Sequence, residues 1–196
     1  MDFIYEIPNF LHKEFCKHVI LKYDKNTGKG VGVVDSEITE NSIDLNISRD
    51  PTWKKECKYI EERINLGMKK YISYLEKDVL KDKEDGRSFN CIKRSNIFDK
   101  YKFGEFQIQK YKNGGHYPFR QDFDTNDRSR LVGFIFYLND LERGTGGETD
   151  FVCGKKVIPN HGNLLFFPAT WTYFHRSIPV QTESKFVITG FVHLED

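Results

Sequence analysis

The stretch GGHYPFRQDFD, residues 114–124, carries residue types that could bind a metal ion. Residues two apart in a β-strand point to the same face, so position 120 and Asp122 would present their side chains together. The carboxylate of Asp122 can bind a metal, whereas the guanidinium of Arg120 has no lone pair and stays protonated. The stretch therefore predicts a metal-binding pair in which an arginine replaces one ligand.

Two more polar residues interrupt the apolar segments that follow. His175, in TWTYFHRSIPV, comes after a turn that contains proline, where a side chain can face the mouth of a barrel, and Lys185 opens the last apolar segment. Each residue also has an ordinary interpretation. A histidine at such a place is more often structural, a lysine is usually solvated, and Asp122 could be a loop carboxylate. None of these three residues identifies a chemical function by itself.

Five ordered blocks, over residues 105–194, resemble the signature of the iron(II)/2-oxoglutarate-dependent dioxygenases, and within them the prolyl 4-hydroxylases. The blocks are YKNGGHYPFRQD, RLVGFIFYLND, GTGGETDF, GNLLFFPATWTYFHRSIPV and SKFVITGFV. Tyr111 lies nine residues before Arg120. Lys185 lies ten residues after His175, and both spacings agree with the signature.

The resemblance implies a role for each candidate residue. In this family two histidines and one carboxylate hold iron(II) and leave positions open for 2-oxoglutarate and O2. By resemblance, Asp122 and His175 take the carboxylate and distal histidine positions, and Arg120 stands where the first histidine is expected. The ammonium of Lys185 would pair with the far carboxylate of 2-oxoglutarate. Hydroxyl groups that would help to bind this cosubstrate belong to Tyr111, Tyr137 and Thr189.

Arg120 departs from the family pattern, and three interpretations are open. It is an engineered or chance substitution in a hydroxylase, the mark of a natural non-catalytic relative, or the sign of a shifted alignment. The matching spacings argue against a shift. His116 has the same strand parity, but four strand residues span about 13 Å, too far for one coordination sphere without a bulge. We therefore expect a weakened iron site in which Arg120 pairs with Asp122.

The resemblance also implies an activity. The expected enzyme converts 2-oxoglutarate and O2 to succinate and CO2 while it hydroxylates a C–H bond, commonly on a peptidyl proline. Iron(II) and 2-oxoglutarate are the expected cofactor and cosubstrate, with ascorbate as a reductant. The substrate would be a peptide or a small molecule. The alternative is a non-catalytic jelly-roll module that binds 2-oxoglutarate or another dicarboxylate. A plain sugar-binding or nucleic-acid-binding jelly roll would make the matched residues a coincidence.

The hydrophobic period predicts the elements that position these residues. Apolar residues recur at helical spacing over residues 11–23, which predicts a first helix. A second helix is predicted from Asp50, a good N-cap followed by proline, through Val79. Between the two, residues 25–50 are polar and contain glycine, which predicts a mobile loop.

From residue 101 onward the period changes to two, or to short apolar runs between turn residues. The strand candidates are FGEFQIQKY, LVGFIFYLND, GKKVIPN, GNLLFFPA and SKFVITGFVHL. Helices followed by many strands predict a mainly β, α+β fold, and with the resemblance a double-stranded β-helix (jelly roll) with supporting N-terminal helices. We expect one domain over residues 1–196, with helices and a loop in residues 1–100 and the jelly-roll core in residues 101–196.

Composition limits the partners. A chain of 196 residues fits one domain, and its formal net charge of +1 supplies no global field to attract nucleic acid or an anionic membrane. Four cysteines without C-x-x-C spacing, and no signal peptide, predict reduced thiols in a cytoplasmic protein. No apolar stretch approaches the roughly 18 residues of a membrane span. Neither a membrane nor a nucleic acid is therefore an expected partner.

Overall fold

Two β-sheets and two α-helices make up the structure, a computed structural model that describes residues 2–31, 42–80 and 96–195. The helices pack on one face of the larger sheet, and the smaller sheet covers its other face. Within the described residues, neither helix combines the length and the hydrophobicity that a bilayer crossing requires.

The first helix, α1, spans Lys13–Lys25 and buries one face. Its buried side chains, Cys16, Val19 and Tyr23, are three or four residues apart and thus lie above one another on the helix. The hydroxyl of Tyr23 donates a hydrogen bond to the carbonyl of Ile43 at 2.7 Å. The predicted first helix is therefore present, and this bond ties it to the larger sheet.

The second helical segment begins at Asp50, whose side chain accepts a hydrogen bond from the backbone N–H of Thr52 at 2.9 Å. A 3-10 turn, Pro51–Trp53, leads into helix α2, Lys54–Tyr74, and a π-helical turn, Leu75–Val79, follows it. The helix predicted over this range is present, with a tighter first turn and a wider last one.

The larger sheet contains eight strands of the described chain, mostly antiparallel to their neighbours. They are β1 (Tyr5–Ile7), β2 (Gly30–Val31), β3 (Ser42–Asn46), β4 (Tyr101–Phe103), β5 (Gln107–Tyr111), β7 (Arg130–Tyr137), β10 (Leu164–Pro168) and β12 (Lys185–Leu194). The smaller sheet contains four, namely β6 (Tyr117–Arg120), β8 (Thr149–Phe151), β9 (Lys156–Val157) and β11 (His175–Ser177). The strand order is β1-β10-β7-β12-β5-β3-β2 in the larger sheet, where β4 also pairs with β12, and β6-β11-β8-β9 in the smaller one.

Alternate residues of the central strands divide the apolar interior into two cores. On β7, Phe134 and Phe136 pack in the core that faces the helices, whereas Ile135 and Tyr137 pack in the core that faces the smaller sheet. The strand period of two thus places one set of side chains in each layer. This layered arrangement confirms the predicted mainly β fold with helices on one face.

The loop predicted over residues 25–50 is wrong in part. β3 pairs along its length with β5, and β2 pairs with β3, so both belong to the larger sheet. Ile43 and Leu45 alternate with polar residues. This period of two indicates a strand, but it extends over only a few residues of a polar segment. Residues 32–41 of the same segment lie outside the described residues.

Candidate functional site

Side chains from the smaller sheet meet at one point between the sheets. His175 opens β11, and its Cα pairs across the sheet with that of Arg120, the last residue of β6. Oδ2 of Asp122 lies 3.7 Å from Nε2 of His175, and its Oδ1 lies 3.8 Å from Nε of Arg120. Because β6 ends at Arg120, Asp122 lies in the irregular segment that follows, so the prediction that one strand carries both positions is wrong.

The imidazole of His175 is buried among aromatic rings. Its exposed fraction is 1%, and the ring centroids of Tyr117, Phe151 and Phe167 lie 5.7, 5.5 and 4.8 Å away. Burial lowers the pKa of His175, against the opposing effect of the Asp122 carboxylate. Nδ1 is 3.1 Å from the carbonyl oxygen of Tyr173, which can only accept, so Nδ1 carries the hydrogen and Nε2 presents a lone pair.

The guanidinium of Arg120 packs on one ring of this aromatic wall. Its Cζ is 4.1 Å from the ring centroid of Tyr117, a cation–π contact. The side chain is 23% exposed. A positive charge therefore faces the two side chains that the resemblance assigns to a metal.

Lys185 places a second positive charge at the same cavity. It is the first residue of β12, only 1% exposed, and its Nζ donates a hydrogen bond to Oγ of Ser177 at 3.0 Å. The ammonium lies 5.4 Å from the ring centroid of Tyr111 and 5.8 Å from that of Tyr137. A buried ammonium with a hydroxyl and two rings beside it is suited to hold an organic carboxylate.

The three predicted hydroxyl residues are placed differently. Tyr111 is the Cα partner of Lys185 on β5, and its hydroxyl donates to Oε1 of Gln109 at 3.0 Å. Thr189 shares a strand face with Lys185. The hydroxyl of Tyr137 is fully buried and lies 2.7 Å from Oγ1 of Thr149, and burial raises its pKa well above the usual value.

A narrow cavity joins these side chains and opens toward a wider cleft. The cavity has a volume of about 20 Å³, and its polar lining includes Gln109, Tyr111, Arg120, Asp122, His175, Lys185 and Thr189. The cleft beside it has a volume of about 430 Å³, and Gln109, Arg120 and Thr189 line both. Arg120 therefore stands at the boundary between the two spaces. Tyr137 is not one of the lining residues, and its ring centroid lies 5.8 Å from the Lys185 ammonium.

Three contributors were missed from the sequence. Ser177 is two residues beyond His175 on the same strand, so the strand period alone could have placed it on the same face. Thr149 and Gln109 find their partners only in the folded chain. His116, the considered substitute ligand, lies near the carbonyl of Gly114, at 3.0 Å from Nδ1, and does not line the cavity.

The donor set is incomplete for iron(II). Within the described ranges no group of three or more histidine, cysteine, aspartate or glutamate side chains could hold a metal ion. Asp122 and His175 offer two ligands, and the third position holds a cation that repels a metal. The surroundings of Lys185, by contrast, fit a carboxylate such as either end of 2-oxoglutarate.

Comparison with known proteins gives one family match and several similar solved structures. Residues 106–193 match the 2OG-Fe(II) oxygenase superfamily. A search of curated proteins gives no significant match. The superfamily match supports the prediction that the chain is by family an enzyme of the 2OG-Fe(II) oxygenase class.

Solved structures of prolyl hydroxylases share the fold. The viral collagen prolyl hydroxylase of Paramecium Bursaria Chlorella virus-1, in its 2OG complex, is 21% identical with a TM-score of 0.65 over 99% of this chain and 97% of that one. A Pseudomonas putida prolyl-4-hydroxylase is 16% identical, with a TM-score of 0.64 over 98% and 93%. A Trichoplax adhaerens prolyl hydroxylase, bound to a hypoxia inducible factor oxygen degradation domain peptide fragment, is 18% identical, with a TM-score of 0.69 over 97% and 83%. These likenesses confirm the double-stranded β-helix.

Proposed function

We propose that this chain is a 2-oxoglutarate oxygenase of the prolyl 4-hydroxylase type in which Arg120 weakens the metal site. The overall reaction would convert 2-oxoglutarate and O2 to succinate and CO2 and hydroxylate a C–H bond of a peptidyl proline or a related substrate. Iron(II) is the cofactor that the family implies, and ascorbate is the proposed reductant. The match of residues 106–193 supports the oxygenase class, and the site geometry supports a metal site weakened by Arg120.

One observation carries the proposal. The Asp122 carboxylate and the His175 lone pair lie 3.7 Å apart, in the cavity that also contains the buried ammonium of Lys185. Both groups are acceptors, so they do not hydrogen-bond each other while the imidazole is neutral. Two converging acceptors are the arrangement that a cation needs, and Arg120 places its Nε 3.8 Å from the Asp122 carboxylate.

The roles of the other residues follow from their places. Lys185 would bind the far carboxylate of 2-oxoglutarate, and Tyr111 and Thr189 would orient it from the same sheet. Tyr137 would act through its ring, which packs below the Lys185 ammonium while its hydroxyl remains with Thr149. The aromatic wall around His175 keeps water away from the reacting groups.

A peptide is the proposed substrate. The cleft of about 430 Å³ borders the cavity at Arg120 and Thr189, and its volume accommodates one or two residues of an extended chain. The Trichoplax prolyl hydroxylase, which shares the fold, is a complex with a peptide fragment. The substrate would reach the cavity from this side.

Replacing Arg120 by histidine tests the proposal. A neutral imidazole opposite His175 would supply the third ligand and remove the repelling charge, so Arg120→His should bind cobalt(II) with the absorption bands of a histidine-ligated site. It should also form succinate from 2-oxoglutarate with iron(II) and ascorbate, at a rate well above that of the native chain. The control is Arg120→Lys, which keeps the charge and adds no ligand at neutral pH, and which should gain neither property. Full turnover by the native chain, or no gain of metal binding in Arg120→His, would contradict the role given to Arg120.

A further inference from the structure

We infer that the native chain binds a dicarboxylate such as 2-oxoglutarate without a metal ion, with Lys185 holding one carboxylate and Arg120 the other. The inference rests on the proposed cosubstrate pocket at Lys185. It adds a ligand-binding role for Arg120, the residue that removes the metal ligand.

The charges that line the cavity favour an anion. Among the described lining residues Arg120 and Lys185 are positive and Asp122 is negative, so positive side chains outnumber negative ones by one. A divalent cation would add to this positive excess, whereas a dianion would offset it. The guanidinium thus supplies part of the positive charge that a metal would otherwise contribute to the binding of an organic acid.

The two cations line the same cavity from different sides. The rings of Tyr117 and Tyr111 are neighbours, with centroids 6.1 Å apart. Arg120 lies 4.1 Å from the first ring and Lys185 lies 5.4 Å from the second. The cations therefore come from opposite sheets and are held on adjacent rings, with the cavity between them. A five-carbon acid has its carboxylates at its two ends, and each end would meet one cation.

Arg120 has the chemistry to bind a carboxylate ligand. Its ion pair with Asp122 is 3.8 Å long, whereas charge-assisted hydrogen bonds from a guanidinium are about 2.7–2.9 Å long and can be bidentate. A ligand carboxylate can therefore offer shorter bonds than Asp122 does. The planar guanidinium can donate two parallel hydrogen bonds to a carboxylate, whereas it has no lone pair with which to bind a metal ion.

The position of Arg120 also gives the ligand a way in. The cavity of about 20 Å³ has room for little more than one water molecule, so a dicarboxylate enters only if a lining side chain moves. Arg120 lines this cavity and the cleft of about 430 Å³. Rotation of its long side chain toward the cleft would join the two spaces and would keep the guanidinium in contact with the incoming carboxylate.

Calorimetric titration of the full chain with 2-oxoglutarate, in buffer that contains EDTA, tests the inference. The native chain should bind, and Arg120→Gln should bind roughly ten- to a hundredfold more weakly, since a charge-assisted bond is lost. Arg120→Lys should recover part of the affinity because it keeps the charge. Arg143→Gln, an exposed arginine outside the cavity, is the matched control and should bind like the native chain. Arg120→His should bind weakly in EDTA and tightly after cobalt(II) is added. Thermal melts would show that each variant is folded.

The outcomes separate this inference from the proposed function. If Arg120→Gln binds as tightly as the native chain while Lys185→Ala loses binding, Arg120 is not a ligand-binding residue, but the cosubstrate pocket stands. If Lys185→Ala also binds like the native chain, the pocket itself is misassigned. A native chain that binds 2-oxoglutarate only after a metal is added would overturn the inference as well.

Discussion

Gly133 leaves no room for a side chain beside the candidate site. It lies on β7, where its Cα pairs with that of Phe167, and a Cβ at this position would be 2.7 Å from Cζ of Phe167 and 3.2 Å from Oδ2 of Asp122. The Phe167 ring in turn lies 4.8 Å from the His175 ring. Gly133→Ala therefore presses on Asp122 directly and on His175 through Phe167.

The cost follows from the crowding. An extra methyl group in a packed core destabilises a protein by about 1–3 kcal/mol. Replacing a strand glycine by alanine recovers roughly 0.5–1 kcal/mol of backbone entropy, so the middle of the two ranges leaves a net loss of about 1 kcal/mol. For a chain of this size each kcal/mol lowers the melting temperature by about 2–4 °C, so we expect a fall of about 2–4 °C.

Gly67→Ala is the matched control. A Cβ at Gly67, on α2, would be 2.7 Å from Cδ2 of Leu164 and 2.9 Å from Cε2 of Phe166, so the crowding is similar, but it occurs in the core that faces the helices. Thermal melts and the imidazole resonances of His175, followed by NMR, would distinguish the two variants. Both should melt earlier, and only Gly133→Ala should shift His175. A Gly133→Ala protein with unchanged melting temperature and an unchanged His175 signal would refute the reasoning.

Three further predictions use other parts of the chain. Burial by itself raises the pKa of Glu56, but hydrogen bonds from a histidine and a lysine of α1 outweigh it and lower the pKa. The carboxylate thus stabilises the fold above its unfolded pKa of about 4.3, and this contribution is lost as the pH falls through the folded pKa. Urea unfolding of Glu56→Gln between pH 7 and 3 should show a flatter acid decline, and a native-like decline would disagree. Burial raises the pKa of the Cys16 thiol to about 11, so iodoacetamide at about pH 8 should label the exposed Cys153 well before Cys16, and early Cys16 adducts by peptide mass mapping would speak against this. Tyr137→Phe leaves the buried Thr149 hydroxyl without its bond and should cost about 1–3 kcal/mol in urea unfolding; full stability would show that this hydroxyl finds another partner.

The sequence alone indicated the residues of the candidate site because their types and spacings are fixed by the covalent chain. His175 follows an apolar segment, Lys185 opens one, and Arg120 stands two residues before Asp122 whatever the fold. The second helix was predicted because its signals are local, namely an N-cap at Asp50 and apolar residues at helical spacing. The alternating strands of the second half predicted a β-rich fold for the same reason.

Other features depend on pairs of residues that are distant in the chain. β3 forms because it can pair with the edge of β5, and the two strands are about sixty residues apart in the chain. The short, largely polar sequence of β3 did not by itself predict this strand. Asp122 approaches His175 from the irregular segment that follows β6. The strand period alone could not show this contact.

Only the tertiary structure decided what Arg120 does. The sequence excluded it as a metal ligand, since a guanidinium has no lone pair. Its contact with Tyr117, its distance from Asp122 and its place between cavity and cleft depend on how the two sheets pack. The same packing buries Lys185 beside Ser177, and so places two cations from opposite sheets on one cavity. Such long-range contacts arise from the folded chain as a whole, because no local pattern of residue types specifies which distant side chain will be the neighbour.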